Sequence, residues 1–237
     1  MPEENSLLYS LINPLLVKLL HLPEGTAVIP EHVLMAMVVV LGCLILFPLI
    51  RRRIRTTNPG YFQQILEVGV EWVLRLLTSN IGPKGIKYLP LIGTLGVFIL
   101  FANLLGIVPG FLPPTSNINT TVGLALVSFV YYNMMGVREK GLLNYVKQFG
   151  GAVWWMSPLI FPIEVISHFA RPLSLSIRLF GNIFGDHVLI FVFFSLFPLI
   201  VPLPMICLSI FVAGMQTYIF VLLSTIYIAG AVAAEEH

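Results

Sequence analysis

Long apolar runs, each closed by a cluster of charge or a turn, set the pattern of this chain. Residues 33–50 carry no charged side chain, and the run stops at Arg51, Arg52, Arg53 and Arg55. A helix of that length reaches across about 30 Å of hydrocarbon. Residues 89–108 form a second such run, and a Pro-, Ser- and Asn-rich turn follows at 109–119. A third, shorter run covers 120–136 and leads into a basic loop at 138–151. Residues 61–77 are patterned differently. Ile65, Val68, Trp72 and Leu76 recur at helical spacing against Gln64, Glu67, Glu71 and Arg75. That periodicity predicts an amphipathic helix lying in the membrane interface. Upstream, an amphipathic stretch at 6–20 is followed by a Pro- and Glu-containing loop to residue 32.

The last third of the chain is patterned on a longer scale. From 188 to 234 there is no Asp, Glu, Lys, Arg or His. One helix over that stretch would be about 70 Å long. Pro198, Pro202 and Pro204 divide it and predict a helical hairpin with arms at 157–197 and 203–234. At 1.5 Å per residue the arms measure roughly 60 and 48 Å. Both exceed the membrane thickness, so both must tilt strongly, bend or run partly along the membrane plane. Long tilted helices need a protein partner covering a broad face.

Composition narrows the class. Hydrophobic residues make up 57% and charged residues 10% of the 237 positions, against roughly 25% charged in soluble domains. Mean hydropathy is +0.93. Continuous apolar runs exclude a barrel, whose strands alternate over short segments. The expected fold is an all-α integral membrane protein, a single membrane domain over 1–237. It has about five membrane-embedded helices plus the interfacial one, the last two forming the long, strongly tilted hairpin. The opening Met-Pro-Glu-Glu lacks the basic region of a secretory signal, so the first segments are expected to belong to the mature protein. Cys43 and Cys207 lie in apolar runs and read as small buried hydrophobes, with no metal or disulfide implied. A net charge of +2 is too small to point to nucleic acid.

The placement of charge says more than its sum. With the N-terminus outside and five spans, the outer segments hold one basic residue, Lys18. The inner segments hold Arg51, Arg52, Arg53, Arg55, Arg75, Lys84, Lys87, Arg138, Lys140 and Lys147. The positive-inside bias therefore predicts an outer N-terminus and an inner C-terminus.

Two basic residues remain, Arg171 and Arg178, inside the fourth span with Glu164, His168, Asp186 and His187. Ionisable groups at the bilayer centre cost at least about 2.5–3.5 kcal/mol each on insertion scales and mark ion paths or pairs. At 100° per residue, Glu164, His168, Arg171, Arg178, Asn182 and Asp186 fall within a stripe about 80° wide and roughly 33 Å long. Carboxylates and imidazoles on such a track exchange protons near neutral pH, and an arginine does not. A fixed positive charge between titratable groups separates two proton-accessible regions. Buried ion pairing alone accounts poorly for six polar groups on one stripe. His168 by itself reads as a structural histidine, and Arg171, next to Pro172, as a supporting residue near the inner interface.

Arg-Pro-Leu-Ser-Leu-Ser-Ile-Arg-Leu-Phe-Gly-Asn at 171–182 closely resembles the signature of subunit a of F-type ATP synthases. Gly-Met-Gln-Thr-Tyr-Ile-Phe at 214–220, with Ile226 and Tyr227, is similar to that family's last helix. Pro-Thr-Ser-Asn-Ile-Asn-Thr-Thr at 114–121 resembles its outer loop before the third span. The resemblance implies a non-catalytic, ion-translocating stator subunit that forms two offset proton half-channels against a rotating c ring. It implies Arg178 as the essential charge facing the c-ring carboxylate, with Gln216 near it. It places Asn182, Asp186 and His187 along the outer half-channel and Glu164 and Ser174 on the inner side. Many relatives carry a carboxylate at the position of His187 and an ionisable residue at that of Ser209. Which of Asp186 and His187 relays the outer proton stays open, with Asp186 favoured because it lies on the stripe. The outward stripe is expected to run through Arg171, Leu175, Arg178 and Asn182. The implied partners are the c-subunit ring, the b subunits of the peripheral stalk, lipid and protons, in a bacterial cytoplasmic (inner) membrane. No cofactor, metal, nucleic acid or bound nucleotide is implied.

Two rivals make different demands. A secondary transporter with a midplane charged site predicts internal repeats with helices broken in both halves, and the charged stripe occurs once. An intramembrane hydrolase would need an H-E-x-x-H pair or a G-x-S-x-G elbow, and neither is in the sequence. There is also no G-x-x-x-x-G-K-[ST] loop to hold nucleotide phosphates.

Overall fold

The computed structural model describes residues 9–10, 29–54, 60–108, 110–148, 156–196 and 202–232. The amphipathic stretch expected at 6–20 lies outside the described residues, apart from Tyr9 and Ser10. Among the described residues the protein is all-α. Helix α1 spans Glu31–Arg53, α2 Tyr61–Ile81, α3 Leu89–Leu105, α4 Ile118–Lys140, α5 Leu142–Gln148, α6 Ser157–Leu196 and α7 Pro202–Val232. Short 3₁₀ turns at Pro83–Tyr88 and Pro114–Ser116 precede α3 and α4.

Helix ends follow local chemistry. Asn117 caps α4, its side chain accepting the backbone N–H of Asn119 at 2.9 Å. Gly82 and Gly141 end α2 and α4 with φ of 84° and 78°, a left-handed turn that side chains with a Cβ resist. Pro202 opens α7, where its missing N–H costs nothing. Pro48, Pro162 and Pro172 lie inside helices that continue past them.

Four segments are long and apolar enough to cross a membrane: Glu31–Arg52, Pro83–Leu105, Ile118–Lys140 and Pro204–Val232. The 40-residue α6 carries the ionisable stripe and is the fifth long helix. Together with the apolar outer surface these make the chain an integral membrane protein. That surface includes Leu41, Leu44 and Ile45 on α1 and Ile163, Ile166 and Phe169 on α6, side chains that lipid solvates as well as a core would.

The core has two centres. One gathers Leu77, Tyr88, Ile92, Tyr132, Tyr145, Val221, Ile228 and Ala231 from α2, the first 3₁₀ turn, α3, α4, α5 and α7. The other joins Leu95, Ile99, Ala125, Leu175, Leu179, Ile183 and Phe220. Helix α4 is the middle member, packed on both α6 and α7. The short α5 lies in the loop read from sequence as basic, and docks through Tyr145. Gly136 makes room for that ring, since a Cβ there would lie 2.5 Å from it. Lys87 and Glu139 form an ion pair joining the loop before α3 to the end of α4. Helix α2 packs on α7 and the 3₁₀ turn, with Trp72 against Tyr218 at 5.2 Å, while Glu71 and Arg75 pair on its exposed side at 2.8 Å.

Candidate functional site

The polar groups of α6 divide by register. Ser174, Arg178 and Asn182 lie one turn apart on an exposed face, beside the apolar Leu173 and Ile177. Arg178 reaches only Ser174, with Nη2 3.5 Å from Oγ. Among the described residues no carboxylate lies within ion-pair distance of it. A guanidinium on an apolar, exposed face of a membrane protein is costly without a counter-charge. One turn further on, Asn182 Nδ2 donates to Gln216 Oε1 on α7 at 2.6 Å. Gln216 is buried, and the bond holds the two arms of the hairpin together beside Arg178.

Leu175 departs from the expectation that it shares the outward stripe. It is 2% exposed and packs in the second core centre with Leu179 and Ile183. The outward face is carried by Leu173, Ser174, Ile177, Arg178, Gly181 and Asn182 instead. The physical reason is that α4 and α7 cover the opposite side of α6 with apolar and small side chains. A stripe about 80° wide spans positions that the packing separates.

Arg171 sits off that face. Its Nη2 lies 3.4 Å from Glu164 Oε1, and its guanidinium stands 5.7 Å from the centre of the Tyr227 ring. His168 is buried among Phe129, Tyr132 and Phe169. Its Nε2 is 2.8 Å from Asn133 Oδ1, which also accepts the Tyr145 hydroxyl at 2.7 Å. An amide oxygen that accepts from both sides passes no proton between them, so this group is a junction between α4, α5 and α6.

Asp186 and His187 are both half-buried. The His187 imidazole approaches the end of α3: a Cβ at Gly106 would lie 2.7 Å from Nε2 and equally near Pro113. Ser209 on α7 is buried and donates to its own helix at Met205 O, 2.9 Å away. Near Gly106, Thr115 donates to Asn103 Oδ1 at 2.7 Å, and Asn103 Nδ2 is buried with no partner. An orphaned amide donor of that kind is satisfied by water or a visiting acceptor. Sequence reasoning passed over Asn103 and Thr115. Their signal was a single amide inside an apolar span and a hydroxyl in a Pro-rich turn. Neither stands out by type, and only the turn at 114–116 brings them together.

Thr121 and Ser176 share a hydrogen bond at 3.2 Å, and Ser128 donates to Ser224 at 3.0 Å. All four side chains are buried. No group of three or more metal-ligating side chains occurs among the described residues.

The sequence matches the family described as ATP synthase A chain over residues 32–229. It is 47% identical over 207 residues to "ATP synthase subunit a 1" of Syntrophotalea carbinolica, covering 87% of this chain and 86% of the relative. It is 41% identical over 192 residues to "ATP synthase subunit a" of Geobacter sulfurreducens, covering 81% and 83%. The subunit of the same description from a Sulfurihydrogenibium species is 41% identical over 207 residues, covering 87% and 99%.

Proposed function

Because the chain belongs to the ATP synthase A-chain family, we propose that it is the stator subunit a of an F-type ATP synthase, forming two offset proton half-channels against a rotating c ring. The observation that carries this reading is Arg178, a permanent charge on an exposed apolar face with no carboxylate partner among the described residues. The c-ring carboxylate supplies that partner. The chain is non-catalytic, sits in a bacterial inner membrane with its N-terminus outside and C-terminus cytoplasmic, and is held by the b subunits of the peripheral stalk.

The mechanism follows from charge and register. A proton enters from the outer side past Asp186 and His187 and reaches the c carboxylate beside Asn182 and Gln216. The neutral carboxyl then leaves Arg178 and turns through lipid. After nearly a full rotation it meets the inner half-channel near Ser174 and Glu164 and loses its proton. Arg178 lowers the carboxyl's pKa locally by charge attraction, so the ionised form is favoured only at the interface. Arginine does not deprotonate, so it blocks direct passage between the half-channels. Each proton crossing 100 mV releases about 2.3 kcal/mol.

The deciding experiment is Arg178→Ala in the complete complex in vesicles. Loss of ATP-driven proton pumping, with passive proton leak through the assembled membrane sector, is the expected result. Near-normal pumping by an intact Arg178→Ala complex would overturn the reading.

A further inference from the structure

We propose that Thr121 and Ser128 of α4 are positioning residues that set the axial height of the Arg178 helix, an inference that rests on the functional reading above. Polar cross-links join three helices pairwise, and the His168–Asn133 bond adds a second link between α4 and α6. Thr121 bonds Ser176 of α6 at 3.2 Å, Ser128 bonds Ser224 of α7 at 3.0 Å, and Asn182 of α6 bonds Gln216 of α7 at 2.6 Å. They form a closed triangle of helices, so sliding any one helix along its axis disturbs at least two of these bonds.

Around Arg178 the other contacts between these helices are apolar: Leu175, Leu179, Ile183, Ala125 and Phe220. Apolar contact resists separation, yet it is non-directional and specifies axial position weakly. A hydrogen bond between buried hydroxyls is directional, and a slide of one residue, about 1.5 Å, takes it out of range. Thr121 and Ser128 are seven residues apart, about 20° from a common line on α4 and roughly 10 Å apart along it. One face of α4 thus grips α6 near one end of that distance and α7 near the other. Ser176 is two residues from Arg178 and points to the buried side while Arg178 points outward. The bond that fixes Ser176 fixes the height of the guanidinium.

Height matters to the proposed reaction because Arg178 must separate two half-channels that open at different levels. A passing rotor also pushes on α6, and a helix held by aliphatic contact alone yields along its axis. The hydroxyls act on the c carboxylate only through the placement of Arg178, so their loss degrades coupling without abolishing proton binding.

The test is the double variant Ser128→Ala and Ser176→Ala in the complete ATP synthase complex, reconstituted into vesicles. Each substitution removes one oxygen. Protons pumped per ATP hydrolysed should fall, by up to about eightfold, the factor that matches two average hydrogen bonds between membrane helices. Crosslinks from Ile177→Cys to cysteines stepped one turn apart along the c-subunit helix should spread from one position to two or more. Ser176→Thr, which keeps a hydroxyl, should behave as the parent in both measurements. A double variant with the parental pumping ratio and a single crosslink position overturns the proposal. If the double variant does not assemble, the single variants decide, and parental coupling with an unspread crosslink in both is equally fatal. Arg178→Ala, measured alongside, separates the two ideas: if it stops pumping while the hydroxyl variants couple normally, only the positioning role fails.

Discussion

Asn182 and Gln216 meet across the hairpin at 2.6 Å, one turn beyond Arg178, with Gln216 buried and Asn182 on the exposed face. The pair is therefore a strut between α6 and α7. Asn182→Ala leaves the buried amide oxygen of Gln216 unmet, a loss of about 1–3 kcal/mol. Asn182→Ala with Gln216→Leu, which removes both partners, should be more stable than Asn182→Ala alone. The unfolding midpoint of the purified complex reports the difference, and an additive double variant would contradict the pairing.

Arg178→Lys tests whether charge alone suffices. Lysine keeps a cation but is more strongly hydrated, lacks the planar fork and deprotonates when buried. ATP synthesis should be lost in Arg178→Lys as in Arg178→Ala, while both complexes assemble. Were Arg178 only a bolt between helices, both variants would instead fail to assemble, and blue-native electrophoresis would show it.

The register of α6 gives a prediction that the stripe alone would have given differently. Cysteines at Leu173 and Ile177, on the exposed face, should crosslink to the rotor helix, and one at Leu175, in the core, should not. Efficient crosslinking from position 175 would mean that α6 is rotated in the assembled complex.

Gly106 is expected to be intolerant of a side chain. A methyl there meets His187 Nε2 and Pro113, both at 2.7 Å. Overpacking of this kind costs about 1–3 kcal/mol. Gly106→Ala should slow proton uptake from the outer side. Adding His187→Ala should recover part of the thermal stability, because the clash with the imidazole is relieved and that with Pro113 stays, without recovering proton uptake. Recovery of both would show that His187 is dispensable and leave Asp186 as the outer relay.

Membrane orientation is open to direct labelling. Arg52→Cys should react with an impermeant thiol reagent from the cytoplasmic side only, as the one-sided distribution of basic residues requires. Reaction solely from outside would invert the topology.

Much of this was legible before any coordinates. The all-α membrane class follows from apolar runs that only a bilayer rewards, and the polar stripe on α6 follows from its 100° register. Arg178 and Asn182 stood out because a charge or amide in such a run is conspicuous by type, and Gln216 was reached only through the resemblance of 214–220 to the family's last helix. What was not legible depends on which neighbour covers which face. Leu175 lies within the angular limits of the stripe, yet α4 and α7 bury it. Thr121, Ser128, Ser176 and Ser224 are ordinary residues in membrane helices until the fold sets them opposite one another. Helix α5 is hidden by its shortness, since seven residues hold too few turns to show a period.

At Gly96 the missing side chain lets α3 approach α7 so closely that a Cβ would stand 2.9 Å from Val221 Cγ2. Tight interlocking of this kind has little compressibility. A stator face backed by it behaves as an anvil and not as a spring. On the reading proposed above, a push on α6 is then passed on to the rest of the membrane sector and not absorbed within this subunit.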